Sequence, residues 1–315
     1  MTQIIPFDAG EARLDWIALT DALAAGHALP RAEIADLFLY RGGDTLLNRS
    51  AWIDGMGLAV KAATVFPGNP AAGRPMVNGA VNLFSDTDGS LEALVDFHLV
   101  TKWKTAADSL LAARRLAPPR VETILILGAG TVGAALRAAY AAAFPGAGFE
   151  IWNRSAEGAR AFAAAHPGTR VAPDLAEAVA RADIIGCATM ARDPVLRGDW
   201  LRPGQHIDLI GAFRPDMREA DDTALRRARL FVDSRATTIG HIGELMIPLA
   251  SGAITEDDIL ADFYQLDRFA RAPDDITICK NGGGAHLDLM TARYILDCWR
   301  AGDGTARIAP GNGRD

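Results

Sequence analysis

The chain has 315 residues, which is longer than a single hydrophobic core usually grows, so we expect two domains. Half of the residues are hydrophobic and 23% are charged, as in ordinary globular proteins, and the net charge of −7 argues against nucleic acid and membrane as partners. The longest apolar stretch ends at Arg137, short of the ~18 residues that a membrane span needs, and the scattered cysteines and histidines predict neither a disulfide framework nor a metal site.

The N-terminal part of the chain predicts an α+β domain whose sheet is mostly antiparallel. Its first residues include acids where a signal peptide has bases, so we expect a cytoplasmic protein. A helix is predicted over residues 31–40. Strands are predicted over residues 45–52, 57–66, 76–84 and 91–97, with Asp88-Gly89 as a hairpin turn between the last two. The apolar spacing of residues 101–117 predicts a helix that ends at Pro118-Pro119.

From Val121 onward, short apolar runs alternate with alanine-rich helical stretches. This alternation is typical of a parallel sheet that is covered by helices on both faces. Residues 274–284 predict one more strand followed by a glycine loop, and residues 285–301 predict a long final helix. The glycine-rich tail, residues 302–315, is expected to be mobile. The predicted fold class is therefore α/β, with a doubly wound parallel sheet and an α+β domain before it.

The segment GAGTVG follows a predicted strand and begins a predicted helix. Its first glycine, Gly128, permits a tight turn, Gly130 lets the backbone approach a pyrophosphate, and Gly133 lets helix and strand pack closely. The amides at the helix N-terminus, among them those of Thr131 and Val132, would face the anion. In this context the motif predicts a Rossmann-type dinucleotide site rather than an ordinary glycine turn.

The end of the next strand bears on which dinucleotide is bound. An NAD-preferring fold usually carries Asp or Glu about 20 residues further on, where it holds the ribose 2′-hydroxyl. Here Asn153 occupies that place, and the next residue, Arg154, could pair with a 2′-phosphate. We therefore favour NADP(H), with NAD(H) as the alternative. The other interpretation is that Ser155 caps the next helix while Arg154 is solvated. Thr189, which ends a later strand, is a further candidate for cofactor contact.

Lys61 is the one charged residue in the predicted strand GLAVKAATV. Side chains alternate along a strand, and neither face of this one is polar enough to be solvated. An ammonium among apolar neighbours has a lowered pKa and can donate a proton or hold a carboxylate. The alternative is an ordinary solvated lysine on an edge strand.

Lys102 and Lys104 fall in the first turns of the helix predicted over residues 101–117, where the helix dipole disfavours cations. A helix N-terminus with a cation beside it can hold a carboxylate. The alternative is a surface pair between Lys104 and Asp108, one turn further along the helix. Spacing alone does not separate the two interpretations.

Several segments together resemble the ornithine cyclodeaminase/mu-crystallin family. GLAVKAATVFPGNP is similar to its G-x-K-x-x-T-x-F-P-x-N segment, VTKWKTAADS to its T-x-x-R-T-A-A-x-S helix, and ILILGAGTVG to its cofactor turn. The resemblance implies a substrate-binding and dimerising domain of residues 1–119 and 285–315, completed by the C-terminal helix, and a Rossmann domain of residues 120–284. It also implies a homodimer.

The resemblance also implies roles for individual residues. Lys61 matches the family's substrate lysine, and Lys104 falls where the family has a carboxylate-binding arginine. Thr105 and Asn281 would line the cofactor side. Because Lys104 provides a point charge in place of an arginine fork, Arg49 on a neighbouring strand could share the carboxylate.

Phe213 is a second departure, since it stands where cyclodeaminases have an acid/base aspartate. Phenylalanine cannot transfer a proton, so the reductase and dehydrogenase members of the family are favoured. We expect an NAD(P)H-dependent reductase of an imino acid, a cyclic ketimine such as pyrroline-2-carboxylate. In this prediction Lys61 and Lys104 are the catalytic pair. Ornithine cyclodeamination is the main alternative, an oxidative amino-acid dehydrogenase is a close variant, and an NADPH-dependent binding protein like mu-crystallin ranks third.

Overall fold

A computed structural model describes residues 2–302 of the chain. These residues form two compact units. The first unit contains residues 2–22, 29–101 and 285–302, and the second contains residues 23–28 and 102–284. The domain boundary at Pro118-Pro119 stays a prediction, because compact packing does not by itself show which segments fold independently. The tail predicted to be mobile lies outside the described residues from residue 303 onward.

The sheet of the first unit has six strands in the order β1-β6-β5-β4-β3-β2. The elements of this part of the chain are β1 Gln3–Ile5, α1 Phe7–Glu11, α2 Trp16–His27, β2 Glu33–Arg41, β3 Asp44–Ile53, β4 Gly57–Val65, β5 Val77–Phe84, β6 Leu91–Asp96 and α3 Phe97–Leu116. Apart from the parallel pair β1–β6, all neighbouring strands are antiparallel. The predicted turn between β5 and β6 is confirmed, since Gly89 has φ +68° and donates its N–H to the Ser85 carbonyl.

The helix predicted over residues 31–40 is wrong, because this segment forms the edge strand β2. All nine of its residues pair with β3, from Glu33 opposite Trp52 to Arg41 opposite Asp44. The spacing of Ile34, Leu37 and Phe38 resembles a helical face, yet these side chains are exposed. Long-range pairing with β3 therefore decided the conformation, and local propensity is a weak guide where such pairing is available.

The start predicted for the next helix, residue 101, is also wrong. Helix α3 begins at Phe97, because Asp96 Oδ1 accepts a hydrogen bond from the Leu99 N–H at 2.9 Å and so caps the helix. Lys104 consequently lies two turns inside α3. The predicted contribution of a helix N-terminus beside Lys104 therefore fails.

The second unit contains an eight-stranded sheet in which every pairing is parallel, as predicted. The elements from here to the end of the described chain are β7 Thr123–Leu127, α4 Thr131–Ala143, β8 Gly148–Trp152, α5 Ala156–Ala165, β9 Thr169–Val171, α6 Leu175–Arg181, β10 Ile184–Cys187, β11 His206–Leu209, α7 Asp222–Arg227, β12 Arg229–Val232, α8 Arg235–Thr238, α9 Gly243–Ser251, β13 Ile259–Ala261, β14 Thr277–Lys280 and α10 Ala285–Gly302. The order is β13-β12-β14-β11-β10-β7-β8-β9. The α/β fold is thus confirmed, and α10 completes the first unit by packing on β3 and β4.

This strand order places a crevice at one defined point of the sheet. Strands β8 and β9 follow β7 on one side of it, and the next strand in the chain, β10, pairs with β7 on the other side. Residues 124–127 of β7 are fully buried, as expected for a central strand of a sheet that is covered on both faces. In open α/β sheets, ligands bind at the carboxyl ends of the strands where the order reverses. Here that point lies between β7 and β10.

Residues 2–302 contain neither a membrane-spanning helix nor a cluster of metal ligands. None of their helices combines the length and the apolar composition that crossing a membrane requires. Within the same range, no three His, Cys, Asp or Glu side chains converge as metal ligands.

Candidate active site

Lys61 lies on the buried face of β4, a strand enclosed by β3 and β5. Ala59 and Ala63 share that face and are also buried, whereas the residues between them are half-buried. Lys61 as a whole residue is only 6% exposed. This position rules out the alternative of a solvated lysine on an edge strand.

The ammonium of Lys61 is held by groups from two helices, α3 and α10. Its Nζ donates to Asp288 Oδ1 on α10 and to Thr101 Oγ1 on α3, both at 2.9 Å. It also lies 4.6 Å from the centroid of the Phe97 ring. Asp288 is itself buried and compensates the lysine's charge. Asp288 was not predicted from the sequence, because an acid in the first turn of a helix ordinarily interacts with the helix dipole.

Arg49 lies directly opposite Lys61 in the antiparallel pairing of β3 and β4. Its Nε and Nη2 donate to Asp36 Oδ2 at 3.0 and 2.8 Å, and Asp36 is in turn opposite Arg49 on β2. Burial alone would lower the pKa of Arg49, but the hydrogen bond and charge of Asp36 and the charge of Asp288 raise it. Asp36, Arg49 and Lys61 therefore form a row of charged side chains across β2, β3 and β4. Arg49 and Lys61 were predicted site residues.

The glycine turn of the second unit has the geometry that its motif predicts. Gly128 has φ +107°, a conformation that favours glycine, and its N–H donates to the Trp152 carbonyl. A Cβ on Gly133 would lie 2.1 Å from the Gly128 oxygen, so helix and turn pack directly, whereas the space beside Gly130 is open. Gly130 is also the N-cap of α4, and Thr131 and Val132 are its first residues. The turn therefore leaves room for a pyrophosphate at the N-terminus of α4.

The residues after β8 border the same turn. Asn153 Oδ1 accepts from the Ala129 N–H at 3.3 Å, so this side chain fastens the turn. Ser155 Oγ accepts from the Gly158 N–H at 3.2 Å and caps α5, as the alternative interpretation expected. Arg154 is exposed and forms no hydrogen bond or ion pair with any residue that the structure describes. Its guanidinium is thus available to an anion.

Thr189 and Asn281 both follow strands of the parallel sheet at its carboxyl edge. The N–H and the hydroxyl of Thr189 donate to Glu219 Oε1 at 2.7 and 2.8 Å. The side chain of Asn281 donates to Asp108 Oδ1 at 2.8 Å and accepts from the Ser109 hydroxyl at 3.2 Å. The side chain of Asn281 therefore fastens α3. Thr105, on the same helix, is half-buried.

Lys104 is 8% exposed, and its Nζ has no hydrogen-bond or ion-pair partner among residues 2–302. The predicted surface pair with Asp108 is therefore wrong, since Asp108 is fully buried and hydrogen-bonded elsewhere. A Cβ on Gly283 would lie 2.6 Å from Nζ, so the lysine packs against glycine backbone. A buried cation without a partner is costly.

Two buried carboxyl groups near Lys104 were missed by the sequence analysis. Burial, and then the charge of Asp233, raise the pKa of Asp108 well above its ordinary value, while the charge of Lys104 acts against them. Burial also raises the pKa of Asp233, which accepts the N–H groups of Gly282 and Gly283 at 2.9 and 2.6 Å. Asp233 thereby holds the glycine loop in place. Only the fold reveals this role, since the two segments are about 50 residues apart.

The predicted site residues thus fall into two groups. Lys61 and Arg49 are neighbours in the first unit. The predicted cofactor residues of the second unit follow strands at the carboxyl edge of the sheet: the glycine turn, Asn153 to Ser155, Thr189 and Asn281. Lys104 packs on the glycine loop of the same unit. Phe213 follows β11, and its ring is 55% exposed.

Comparison with known proteins identifies the family of the chain. The family model described as the ornithine cyclodeaminase/mu-crystallin family matches residues 52–303. A Delta(1)-pyrroline-2-carboxylate reductase of Paracoccus denitrificans is 51% identical over 302 residues, which are 93% of this chain and 96% of that protein. The ketimine reductase mu-crystallin of Mus musculus is 36% identical over 78% of this chain and 77% of its own length.

A solved structure shares the fold over nearly the whole chain. It is that of Thermococcus litoralis Delta(1)-pyrroline-2-carboxylate reductase in complex with NADH and L-proline. The TM-score is 0.86 at 23% identity, with 98% of this chain and 100% of that chain covered. The glycine turn, the parallel sheet and the buried Lys61 thus occur in a chain that belongs to the ornithine cyclodeaminase/mu-crystallin family.

Proposed function

We propose that this protein reduces the C=N bond of cyclic imino acids, with Δ1-pyrroline-2-carboxylate as the preferred substrate and a reduced nicotinamide dinucleotide as the reductant. The observation that carries the proposal is the buried ammonium of Lys61, held by Asp288 and Thr101. The relative that is 51% identical along almost the whole chain supports the same substrate. When bound, the dinucleotide supplies the hydride.

Lys61 donates a hydrogen bond or a proton to the imine nitrogen. Protonation makes the imine carbon a better hydride acceptor, which is the work of a general acid. Asp288 and Thr101 fix the position of Nζ, so the proton is presented from one direction. The apolar neighbours of Lys61 keep water from competing for the ammonium.

Lys104 is our choice for the group that binds the substrate carboxylate. Its ammonium is buried and has no partner among the described residues, so an anion would compensate its charge. Arg49 already donates two hydrogen bonds to Asp36 and is the less available of the two cations. Holding the carboxylate orients the imine carbon for hydride transfer.

We propose NADP(H) as the preferred cofactor. Asn153 already accepts from the turn through Oδ1 and donates to the Ser155 carbonyl through Nδ2, and no carboxylate stands in its place to hold a ribose 2′-hydroxyl. The exposed Arg154 is available to a 2′-phosphate. Thermococcus litoralis reductase binds NADH in its solved structure, so the preference needs a direct test.

The deciding experiment mixes the protein with Δ1-pyrroline-2-carboxylate and follows the loss of reduced-nicotinamide absorbance, with NADPH and NADH in parallel. We expect turnover with both and a higher kcat/KM with NADPH. Arg154→Ala should remove the preference without abolishing activity with NADH. Ammonia release from ornithine with NAD⁺, and no net change in cofactor, would instead identify a cyclodeaminase and overturn the inference drawn from Phe213.

A further inference from the structure

Three backbone segments touch one another at the carboxyl edge of the second unit's sheet. They follow β7, β10 and β11, which are neighbours in the sheet. A Cβ on Gly128 would lie 2.5 Å from the Ala188 oxygen, and a Cβ on Gly211 would lie 2.1 Å from the Thr189 oxygen. The turn thus packs directly on the loop after β10, and that loop packs directly on the loop after β11. The way these two loops are held therefore determines the surface beside the turn.

One carboxylate joins the two loops. Glu219 Oε1 accepts the N–H and the hydroxyl of Thr189 at 2.7 and 2.8 Å. Its Oε2 accepts the N–H of Gly211 at 2.6 Å and that of Ala212 at 3.2 Å. Because four donors converge on two oxygens, both oxygens must act as acceptors. Each oxygen accepts two of the four donors, and only the ionised carboxylate offers that many acceptor positions.

Other elements fix this carboxylate and the loop after β11. Glu244 on α9 accepts the backbone N–H of Glu219 at 2.7 Å. Lys280 on β14 donates to the carbonyls of Leu209 and Ala212 at 2.8 and 2.7 Å. The loop is thus held through its amides by Glu219 and through its carbonyls by Lys280. All three charged side chains are buried.

Burial and the surrounding charges bring the pKa of Glu219 close to neutral pH. Burial, and then the charge of Glu244, raise the pKa of Glu219 to about 7, while Lys280 and the Thr189 donors act against them. Two further groups face this cluster: the Cys187 thiol, whose pKa burial raises well above its ordinary value, and Arg218, whose charge acts on Glu244. Neither of these two donates to the Glu219 carboxylate.

We propose that ionised Glu219 is a positioning residue for the reduced dinucleotide, holding Thr189 and the Gly211–Ala212 backbone in the arrangement that binds the cofactor. This inference rests on the proposed function, since it takes the turn at Gly128 to be the dinucleotide site. A protonated Glu219 presents an O–H in place of one acceptor. One of the four donors then loses its acceptor, the loop to which it belongs is held less firmly, and the dinucleotide binds more weakly.

The test measures the Kd of NADPH by its fluorescence on the intact protein between about pH 6 and pH 8. One pH unit below the pKa, about one-tenth of Glu219 is ionised, so the Kd of the native protein should rise about tenfold on acidification. Glu219→Gln cannot accept four hydrogen bonds. It should bind NADPH at least about tenfold more weakly at pH 8, with little dependence on pH.

A matched control is Glu150→Gln. Glu150 is a buried glutamate of the same unit that pairs with Arg170 and Arg181 on the β8 side of the sheet, away from both loops. This variant should keep the native pH profile. A flat native profile would overturn the inference even if Glu219→Gln fails to fold, and so would native affinity in Glu219→Gln. In both cases the native protein would still reduce the imine, whereas a native protein that binds no reduced dinucleotide at any pH would refute the proposed function as well.

Discussion

Among single residues, the mechanism proposed above assigns the chemistry to two lysines in different surroundings. Lys61 is paired with a buried carboxylate, so its position is fixed and its charge is compensated. Lys104 is equally buried but has no partner among the described residues, so its charge is left for a ligand. A paired ammonium suits proton donation from a fixed point, and an unpaired one suits anion binding. The two lysines should therefore respond differently to substitution.

Replacing Lys61 by Met should lower kcat by about 10²–10⁴-fold, the usual contribution of a general acid, and leave the Kd of NADPH nearly unchanged. The variant should also lose about 3–5 kcal/mol of unfolding free energy, because Asp288 is left buried without its ammonium. The double variant Lys61→Met/Asp288→Asn should recover part of that stability and none of the activity. Steady-state kinetics and urea unfolding measure the two effects, with Lys102→Met as control. Full activity in Lys61→Met would remove this lysine from the mechanism.

Replacing Lys104 by Met should raise the KM for the imino acid about 10- to 100-fold, since a charge-assisted hydrogen bond to a carboxylate contributes about 1.5–3 kcal/mol. Lys104→Arg, which retains the charge, should restore much of the affinity. Initial rates over a range of imino-acid concentrations, at saturating NADPH, separate KM from kcat. An unchanged KM in Lys104→Met would show that Lys104 does not bind the substrate carboxylate and would assign that role to Arg49.

At the scale of elements, the glycine turn is the part in which sequence motif and geometry agree most closely. Each of its three glycines does what the motif requires: Gly128 adopts a positive φ, Gly130 leaves open space and Gly133 lets α4 pack on the turn. The agreement arises because the constraints are local. A tight turn between a strand and a helix leaves few backbone conformations, and only glycine satisfies them.

Gly133→Ala should therefore weaken dinucleotide binding by at least about tenfold, because its Cβ would meet the Gly128 oxygen at 2.1 Å and displace α4. Gly146→Ala is the matched control, since a Cβ there meets nothing within 4 Å. Fluorescence titration with NADPH compares the two variants. Equal affinities would show that the turn does not carry the dinucleotide.

Two other elements were predicted less well. The segment that forms β2 has apolar residues at helical spacing, yet it pairs with β3 along its whole length. Helix α3 begins at a cap, Asp96, that the sequence analysis assigned to a strand. The pairing of β2 joins two separate segments, whereas the cap of α3 is local, because Asp96 lies three residues before the Leu99 N–H that it accepts. Local propensity then loses to pairing or capping.

At the scale of the whole molecule, β2 leaves an apolar edge uncovered in the single chain. Ile34, Leu37, Phe38, Leu39 and Tyr40 are all exposed there. Contiguous apolar surface on a sheet edge usually marks an interface, because an open edge also promotes aggregation. We therefore propose that a second copy of the chain covers β2, which agrees with the homodimer expected from the family resemblance.

Phe38→Lys should shift the protein from dimer to monomer in light scattering at micromolar concentration, because it places a charge in the proposed interface. The control is Ile4→Lys, which makes the same kind of change at an exposed residue of β1, the opposite edge strand of the same sheet. That variant should remain a dimer. Two variants with equal mass would show that the interface lies elsewhere or does not exist.

Features whose causes are local in the chain could be predicted from the sequence. Alternation of apolar runs and helical stretches predicted the parallel sheet, the glycine spacing predicted the turn, and apolar neighbours predicted that Lys61 is buried. Only the tertiary structure decided the partners of these groups. Asp288 reaches Lys61 across 227 positions of the chain, and Glu219 reaches Thr189 across 30. The physical reason is that burial can be read from a residue's neighbours in sequence, whereas a hydrogen bond between distant segments exists only once the fold has brought its donor and acceptor together.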